Sequence, residues 1–297
     1  MDSTGVEIQL SGCISVSRSG QRLGLSLAGA TLELLAYLLC HDAEVRRDAL
    51  ATLLWEEVEP DRARAALNTA LWRIKKQVRN WPGVSLISTQ AAVRLDLSGC
   101  RLDIRRIETA VRTARGAARG DDGILNEDVR LGLADAADLY RGPFLDGFGA
   151  AWVLVQRERL FDFQMRALGL LMQDASSRRD YDEALDYGRR LLAADPFHEQ
   201  AQCQVMWLYA LNGQRVRALM QYRAYEDLLR REMSIRPMPE ARALFDFIRS
   251  ELDQDGVALP SAPASSSRAG GGEADLFGRL RDVIASSRAS AYHAVRP

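Results

Sequence analysis

Hydrophobic and polar positions alternate along the first thirty residues: Val6, Ile8 and Leu10, then Ile14 and Val16, then Leu23, Leu25 and Leu27. That spacing predicts short strands, with Ser19-Gly20 available as a hairpin turn. Helical spacing takes over in TLELLAYLLC (31–40) and again in DALATLLW (48–55), where Asp48 suits a first turn. Pro60-Asp61 punctuates the chain, and RARAALNTALWRIKKQVR (62–79) follows. There Leu67, Leu71, Ile74 and Val78 share one helical face, while Asn68, Thr69, Trp72, Arg73 and Lys76 point the other way. After Trp81-Pro82-Gly83, VSLIS (84–88) and AVRLDL (92–97) alternate again around a short polar turn. Strands, three helices and a hairpin fit a helix-turn-helix core with a β-hairpin wing.

From about Cys100 onward the pattern predicts helices only. Asp103 opens one through IRRIETAVRTA, GAARGDDG (116–123) reads as a loop, and a helix from Glu127 stops at Gly142-Pro143. Residues 152–176 form one long helical stretch. Between Met165 and Leu229 the chain resembles itself at a shift of 34 residues: Leu171-Met172 recur as Val205-Met206, and YDEAL (181–185) aligns with RVRAL (215–219). Such a helix-hairpin period is the tetratricopeptide signature. Pro196 closes the first unit and Gly213 sits in the turn of the second. ALPSAPASSSRAGGG (258–272) has linker composition, and ADLFGRLRDVIASSR (274–288) reads as a short amphipathic helix. That helix either docks on a partner, packs back on the chain, or orders only when bound.

The 297 residues suggest a division into 1–100, a winged helix, 101–252, an all-helical domain, and 253–297, a flexible tail. The fold class is therefore mainly α: an α+β winged helix-turn-helix followed by an all-α tetratricopeptide-like domain. The formal net charge is only −1, so any polyanion contact must be local. Residues 62–79 supply it, with six basic residues and no acidic one. Phosphates call for Lys and Arg, and base edges are read by Arg, Asn, Lys and Thr. Four scattered cysteines lack any C-x-x-C pair and suggest free thiols rather than a zinc knuckle or disulfides. His41, His198 and His293 lie in separate segments without metal-ligand spacing, and His198 reads as a solvated turn residue. Neither a phosphate loop nor a nucleophile elbow is present, so no enzyme, cofactor or metal is expected. MDSTGVEIQL has no secretory leader pattern and no apolar run reaches transmembrane length, so a cytoplasmic protein without membrane contact is expected.

The strings LELLAYLL (32–39), RRDALATLLW (46–55), ARAALNTALWRIKKQV (63–78), LYRGPFLDGF (139–148), RERL (157–160), ADPFHEQA (194–201), ALNGQRVRALMQY (210–222) and IRPMPEARALF (235–245) occur in a telling order. By that order the span Val6–Phe245 resembles the SARP-type bacterial transcriptional activators. These join an OmpR-like winged helix to a bacterial transcriptional activator domain. The resemblance implies a recognition helix at 61–79, with Arg64 at a basic position near its start and Arg73 and Lys75 at a basic pair near its end. Lys75 stands where the family most often has Arg, which keeps charge but loses the bidentate fork. The wing departs from the family's Gly-Tyr, reading Gln90-Ala91-Ala92-Val93-Arg94. The resemblance also implies dimers on direct repeats of promoter DNA and contact with RNA polymerase.

These readings place Asn68, Thr69, Trp72, Arg73 and Lys76 nearest base edges in the major groove. Arg62, Arg64, Lys75 and Arg79 neutralise phosphates, and Arg94 on the wing is a further groove or phosphate contact. Alternatives stay open for two of them. Trp72 either stacks near DNA or packs on the second domain or a preceding loop, and Arg64 either meets DNA or pairs with Glu57 or Glu59. The rival for the whole chain is a tetratricopeptide-like interaction scaffold whose winged helix no longer binds DNA.

Overall fold

The computed structural model describes residues 5–117 and 124–254. Residues 118–123 of the expected loop and the tail with its amphipathic segment lie outside the described residues. The chain divides into two compact units, Met1–Thr113 with Leu131–Gln164, and Ala114–Arg130 with Met165–Pro297.

The first unit opens with β1 (Val6–Gln9), β2 (Ser15–Arg18) and β3 (Gln21–Leu23), joined in antiparallel order. Ser19 and Gly20 both take positive φ (49° and 78°), the two-residue turn that matches strand twist. β3 ends at Leu23, short of the alternation that runs on to Leu27. The cause is a distant side chain. Gln77 donates to the Gly24 carbonyl (2.8 Å) and accepts from the Ser26 N–H (3.1 Å) and hydroxyl (2.9 Å), which takes the groups a ladder would need. Helices α1 (Gly29–Cys40), α2 (Arg47–Leu54) and α3 (Pro60–Val78) follow, with a two-residue strand β4 (Val45–Arg46) between α1 and α2. The wing is β5 (Ser85–Ser88) and β6 (Ala92–Asp96), in antiparallel register Leu86 to Leu95, with β4 completing its sheet on β6. Gly83 and Gly99 meet back to back where the chain enters and leaves the wing, since a Cβ on Gly83 would lie 2.3 Å from Gly99 Cα. Leu34, Leu35, Leu38, Leu39, Leu67, Ile74 and Trp81 are buried in the core beneath these elements.

The expectation of helices alone after Cys100 is corrected by β7 (Cys100–Leu102), which pairs parallel with β1. Helix α4 (Asp103–Ala117) starts directly behind it. The buried Asp103 carboxylate accepts from the Leu10 and Ser11 N–H groups (3.0 and 2.8 Å) and the Ser11 hydroxyl (2.6 Å). Helix α5 (Glu127–Leu139) leads to a loop in which Arg157, from α6 (Ala151–Ser177), donates to the carbonyls of Phe144, Leu145 and Phe148.

The second unit holds the rest of α6 with α7 (Tyr181–Ala194), α8 (Glu199–Leu211), α9 (Arg215–Glu232) and α10 (Pro239–Gln254). The 34-residue shift recurs in its hydrogen bonds. Asp180 N–H donates to Ala175 O (2.9 Å) as Gln214 N–H donates to Tyr209 O (2.8 Å), and Ala184 N–H reaches Asp180 O as Ala218 N–H reaches Gln214 O. Arg179 and Gly213 hold the same left-handed turn, φ 62° and 70°. Leu171, Met172 and Ala184 are buried, as are Val205, Met206 and Ala218. His198 is a half-buried cap rather than a solvated turn residue: its Nδ1 accepts from the Ala201 N–H at 3.2 Å, meeting one of the donors left open at a helix start. Among the described residues no helix is long and apolar enough to cross a membrane.

Candidate nucleic-acid interface

Helix α3 forms where expected because its start, faces and end all agree. Pro60 occupies the first turn, where no N–H is needed. The Glu59 carboxylate accepts from the Asp61 and Arg62 N–H groups (3.1 and 3.2 Å), and Lys75 and Lys76 sit in the last turn, which suits the helix dipole. Ala63, Leu67, Ala70, Leu71, Ile74 and Val78 are buried. Arg62, Arg64, Asn68, Thr69, Trp72, Arg73, Lys75, Lys76 and Arg79 are all exposed. At about 100° per residue, the exposed midline runs through Asn68, Trp72 and Lys76, with Arg62 and Arg73 on one flank and Arg64 and Lys75 on the other.

The two flanks have different neighbours. Trp72, Arg73 and Lys76 line a cavity of about 390 Å³ with the segment before α1. Trp72 is 63% exposed, and the Lys76 ammonium lies 5.6 Å from the centre of its ring. On the opposite flank Arg64 pairs with Asp61 (2.9 Å) and Asp48 (3.8 Å), rather than with Glu57 or Glu59. Both partners are more exposed than Arg64 itself, so this pairing adds little stability. Thr69 returns its hydroxyl to the Ala65 carbonyl at 3.0 Å. Among the described residues no carboxylate pairs with Arg62, Arg73, Lys75, Lys76 or Arg79.

Arg47 was not among the residues singled out from the sequence, yet it joins three elements. From the first turn of α2 it donates to Asn68 Oδ1 on α3, to Ser88 Oγ (2.8 Å) and to the Thr89 carbonyl (3.4 Å) on the wing. Its only sequence signal is a basic dipeptide, Arg46-Arg47, at a helix start. Arg94 stands across from Ile87 on the wing and pairs with Glu44 at 3.7 Å. The tip, Thr89–Ala91, is closed by Thr89 Oγ1 accepting from the Ala91 and Ala92 N–H groups and carries no cation of its own. Among the described residues no cluster of His, Cys, Asp and Glu is arranged to hold a metal.

A wing, a basic helix with a buried apolar face and a following helical-repeat region define the class of winged-helix regulators with a helical activator domain. Residues 102–249 match the family described as the bacterial transcriptional activator domain. The chain is similar to the transcriptional regulatory protein MoaR1 of Mycobacterium tuberculosis, 26% identical over 85% of this chain and 82% of that protein. It is similar to the regulatory protein AfsR of Streptomyces coelicolor, 25% identical over 82% of this chain but only 24% of AfsR. EmbR of M. tuberculosis is 28% identical over 70% of this chain and 54% of EmbR. A solved structure of M. tuberculosis EmbR with a low-affinity phosphopeptide shares the fold, with a TM-score of 0.67 at 20% identity, covering 97% of this chain and 70% of that one. The chain belongs to the SARP-type bacterial transcriptional activators, whose members are regulators and not enzymes.

Proposed function

We propose that the chain is a cytoplasmic, sequence-specific DNA-binding regulator that activates transcription from promoter repeats. One observation carries this reading: α3 turns Leu67, Leu71, Ile74 and Val78 inward and leaves Trp72, Arg62, Arg73, Lys75, Lys76 and Arg79 exposed, the five cations without a carboxylate partner among the described residues. In the proposed complex α3 lies in the major groove. Asn68, Thr69, Trp72, Arg73 and Lys76 read base edges, and Arg62, Arg64, Lys75 and Arg79 meet phosphates. Asn68 turns from Arg47 on binding, because a bidentate pair with an adenine needs its amide oxygen and its NH2 group aimed together at the base edge. Arg47 is then free to meet a phosphate beside the wing, next to Arg94. One such module buries little surface, so two copies on direct repeats, each directed toward RNA polymerase, supply tight binding.

A second reading has its own observation. Arg94 is engaged with Glu44 and the wing tip lacks a cation, as in a helical scaffold whose winged helix has lost its duplex. Selection of bound genomic duplexes by the purified protein, beside an Arg73→Ala/Lys76→Ala variant at two salt concentrations, separates the two. A shared motif recovered by the wild type alone supports DNA reading through α3. No motif recovered by either protein favours the scaffold, and equal recovery by both moves DNA reading away from Arg73 and Lys76.

A further inference from the structure

A second cavity, of about 350 Å³, lies in the first unit between the end of α1 and helices α4 and α6, and shares no residue with α3. Its volume falls at the lower end of small-molecule sites, ~300–1,000 Å³. One side is apolar, built from the buried Phe144 and Leu160 with Phe163 beside them. The other carries the guanidinium groups of Arg105, Arg112 and Arg159.

The hydrogen-bond inventory of these arginines is unusual. Arg112 and Arg159 both donate to the same oxygen, Oε1 of Glu108. Arg105 donates to the Leu39 carbonyl at 3.1 Å and pairs with the exposed Asp42. A guanidinium offers five N–H donors in a fixed fork. Two guanidinium groups converging on one carboxylate oxygen leave most of their donors without a partner among the described residues. Tying α4 to α6 requires only Arg159 on Glu108, so Arg112 is surplus to that tie. The lining holds three guanidinium groups against the carboxylates of Asp42 and Glu108, an excess of one positive charge. The Arg159 guanidinium also lies 5.8 Å from the centre of the Phe163 ring, so the cationic and aromatic walls meet.

We propose that this cavity binds a small organic anion with a flat apolar body. Its acid group bridges Arg112 and Arg159, where paired oxygens match the guanidinium forks. Its body lies against Phe163 and Leu160. A neutral molecule of the same shape leaves the spare donors unmatched and is rejected, which gives the site its selectivity.

The test uses benzoate and phenyl phosphate as probes with benzamide as the neutral counterpart, followed by ligand-observed NMR on the full chain. Benzoate or phenyl phosphate should bind, and benzamide at least tenfold more weakly. Arg112→Gln and Arg159→Gln should each weaken the anion by roughly tenfold, the scale of one charged hydrogen bond. Thr109→Trp, at an exposed lining position, blocks the mouth while leaving the ion network intact, and should abolish binding even if an arginine variant fails to fold. Benzamide binding as well as benzoate, binding unchanged in Thr109→Trp, or no binding of either anion at millimolar concentration overturns the proposal.

Discussion

Helices α3 and α9 are almost equally long, 19 and 18 residues, and both are rich in arginine, yet Arg217, Arg230 and Arg231 of α9 find polar partners on or beside their own helix where most of the cations on α3 do not. On α9, Arg230 pairs with Asp227, Arg231 donates to the Asp227 carbonyl, and Arg217 donates to Gln214 at 2.8 Å. On α3, Arg64 is the one cation paired with a carboxylate among the described residues, and Asp61 is the only acidic residue in the helix. The difference lies in sequence spacing rather than composition. Acids three residues from a cation on the same helix surface neutralise it locally, and α3 has none beyond its first turn. Charge left unmatched on a folded surface is available to a polyanion, while matched charge mainly keeps a surface solvated.

The interiors of the two regions, by contrast, should behave alike, and the largest expected contrast tests that. Burial pushes the Cys40 thiol up to about 12 and the Cys203 thiol up to about 12, one in each unit. A raised thiol pKa keeps the unreactive protonated form, so at pH 8 each holds only ~10⁻⁴ of its population as thiolate, rising about tenfold per pH unit. Iodoacetamide at pH 8 should label the exposed Cys13 first and leave the half-buried Cys40 and Cys203 largely unmodified in native protein, read by peptide mass spectrometry. Labelling of Cys203 alone at the Cys13 rate would show that the repeat region opens separately. Next in size is the response of DNA affinity to salt. Lys75→Ala/Arg79→Ala should reduce the slope of log affinity against log salt by roughly 2 and weaken binding to all sequences, since each phosphate contact adds about 0.9 to that slope. Arg217→Ala/Arg230→Ala on α9 removes the same formal charge and should leave the slope unchanged. Equal slopes for the two variants would erase the distinction between the helices.

Helix α3 was legible because its evidence is local: a proline-marked start, an apolar stripe and a run of cations within twenty residues or so. The repeat was legible for the same reason, and its period reappears in the paired turns at Arg179 and Gly213. What escaped depends on partners far along the chain. β7 is only three residues long and exists because β1 offers it an edge, with Val6 set against Cys100. The early end of β3 is dictated by Gln77, and the Arg47 junction joins α2, α3 and the wing through side-chain bonds with no periodic trace. Asp103 was legible as a helix opener, but its bonds to Leu10 and Ser11 were not. The cavity between α1, α4 and α6 draws its arginines from two separated helices, and no motif marks it.

Two smaller effects sharpen the comparison further. In the repeat region a Cβ at Gly188 would lie 2.5 Å from Val205 Cγ2, so α7 and α8 touch at a point with no room for a methyl group. Gly188→Ala should therefore cost about 1–3 kcal/mol by overpacking, measured by urea unfolding, without changing the salt slope of DNA binding. A cost near zero would mean that α7 and α8 separate freely at this point.

The smallest expected effect lies at Arg47, where the free and bound forms of the interface compete for one side chain. Removing the guanidinium frees the Asn68 oxygen for a base but also withdraws the bonds that hold Ser88 and Thr89 of the wing to α2. A hydrogen bond to a charged group contributes about 1.5–3 kcal/mol, and here its loss in the free protein is offset by the release of Asn68. Arg47→Ala should accordingly weaken duplex binding only about threefold to tenfold, with the loss borne mainly by affinity for all sequences rather than by discrimination at one base. Arg47→Lys should recover part of the phosphate contact but not the three-way junction, because an ammonium lacks the planar fork that reaches Asn68 and Ser88 together. If Arg47→Ala instead strengthens binding, the junction acts as a brake on α3, and the free interface is held closed by its own wing.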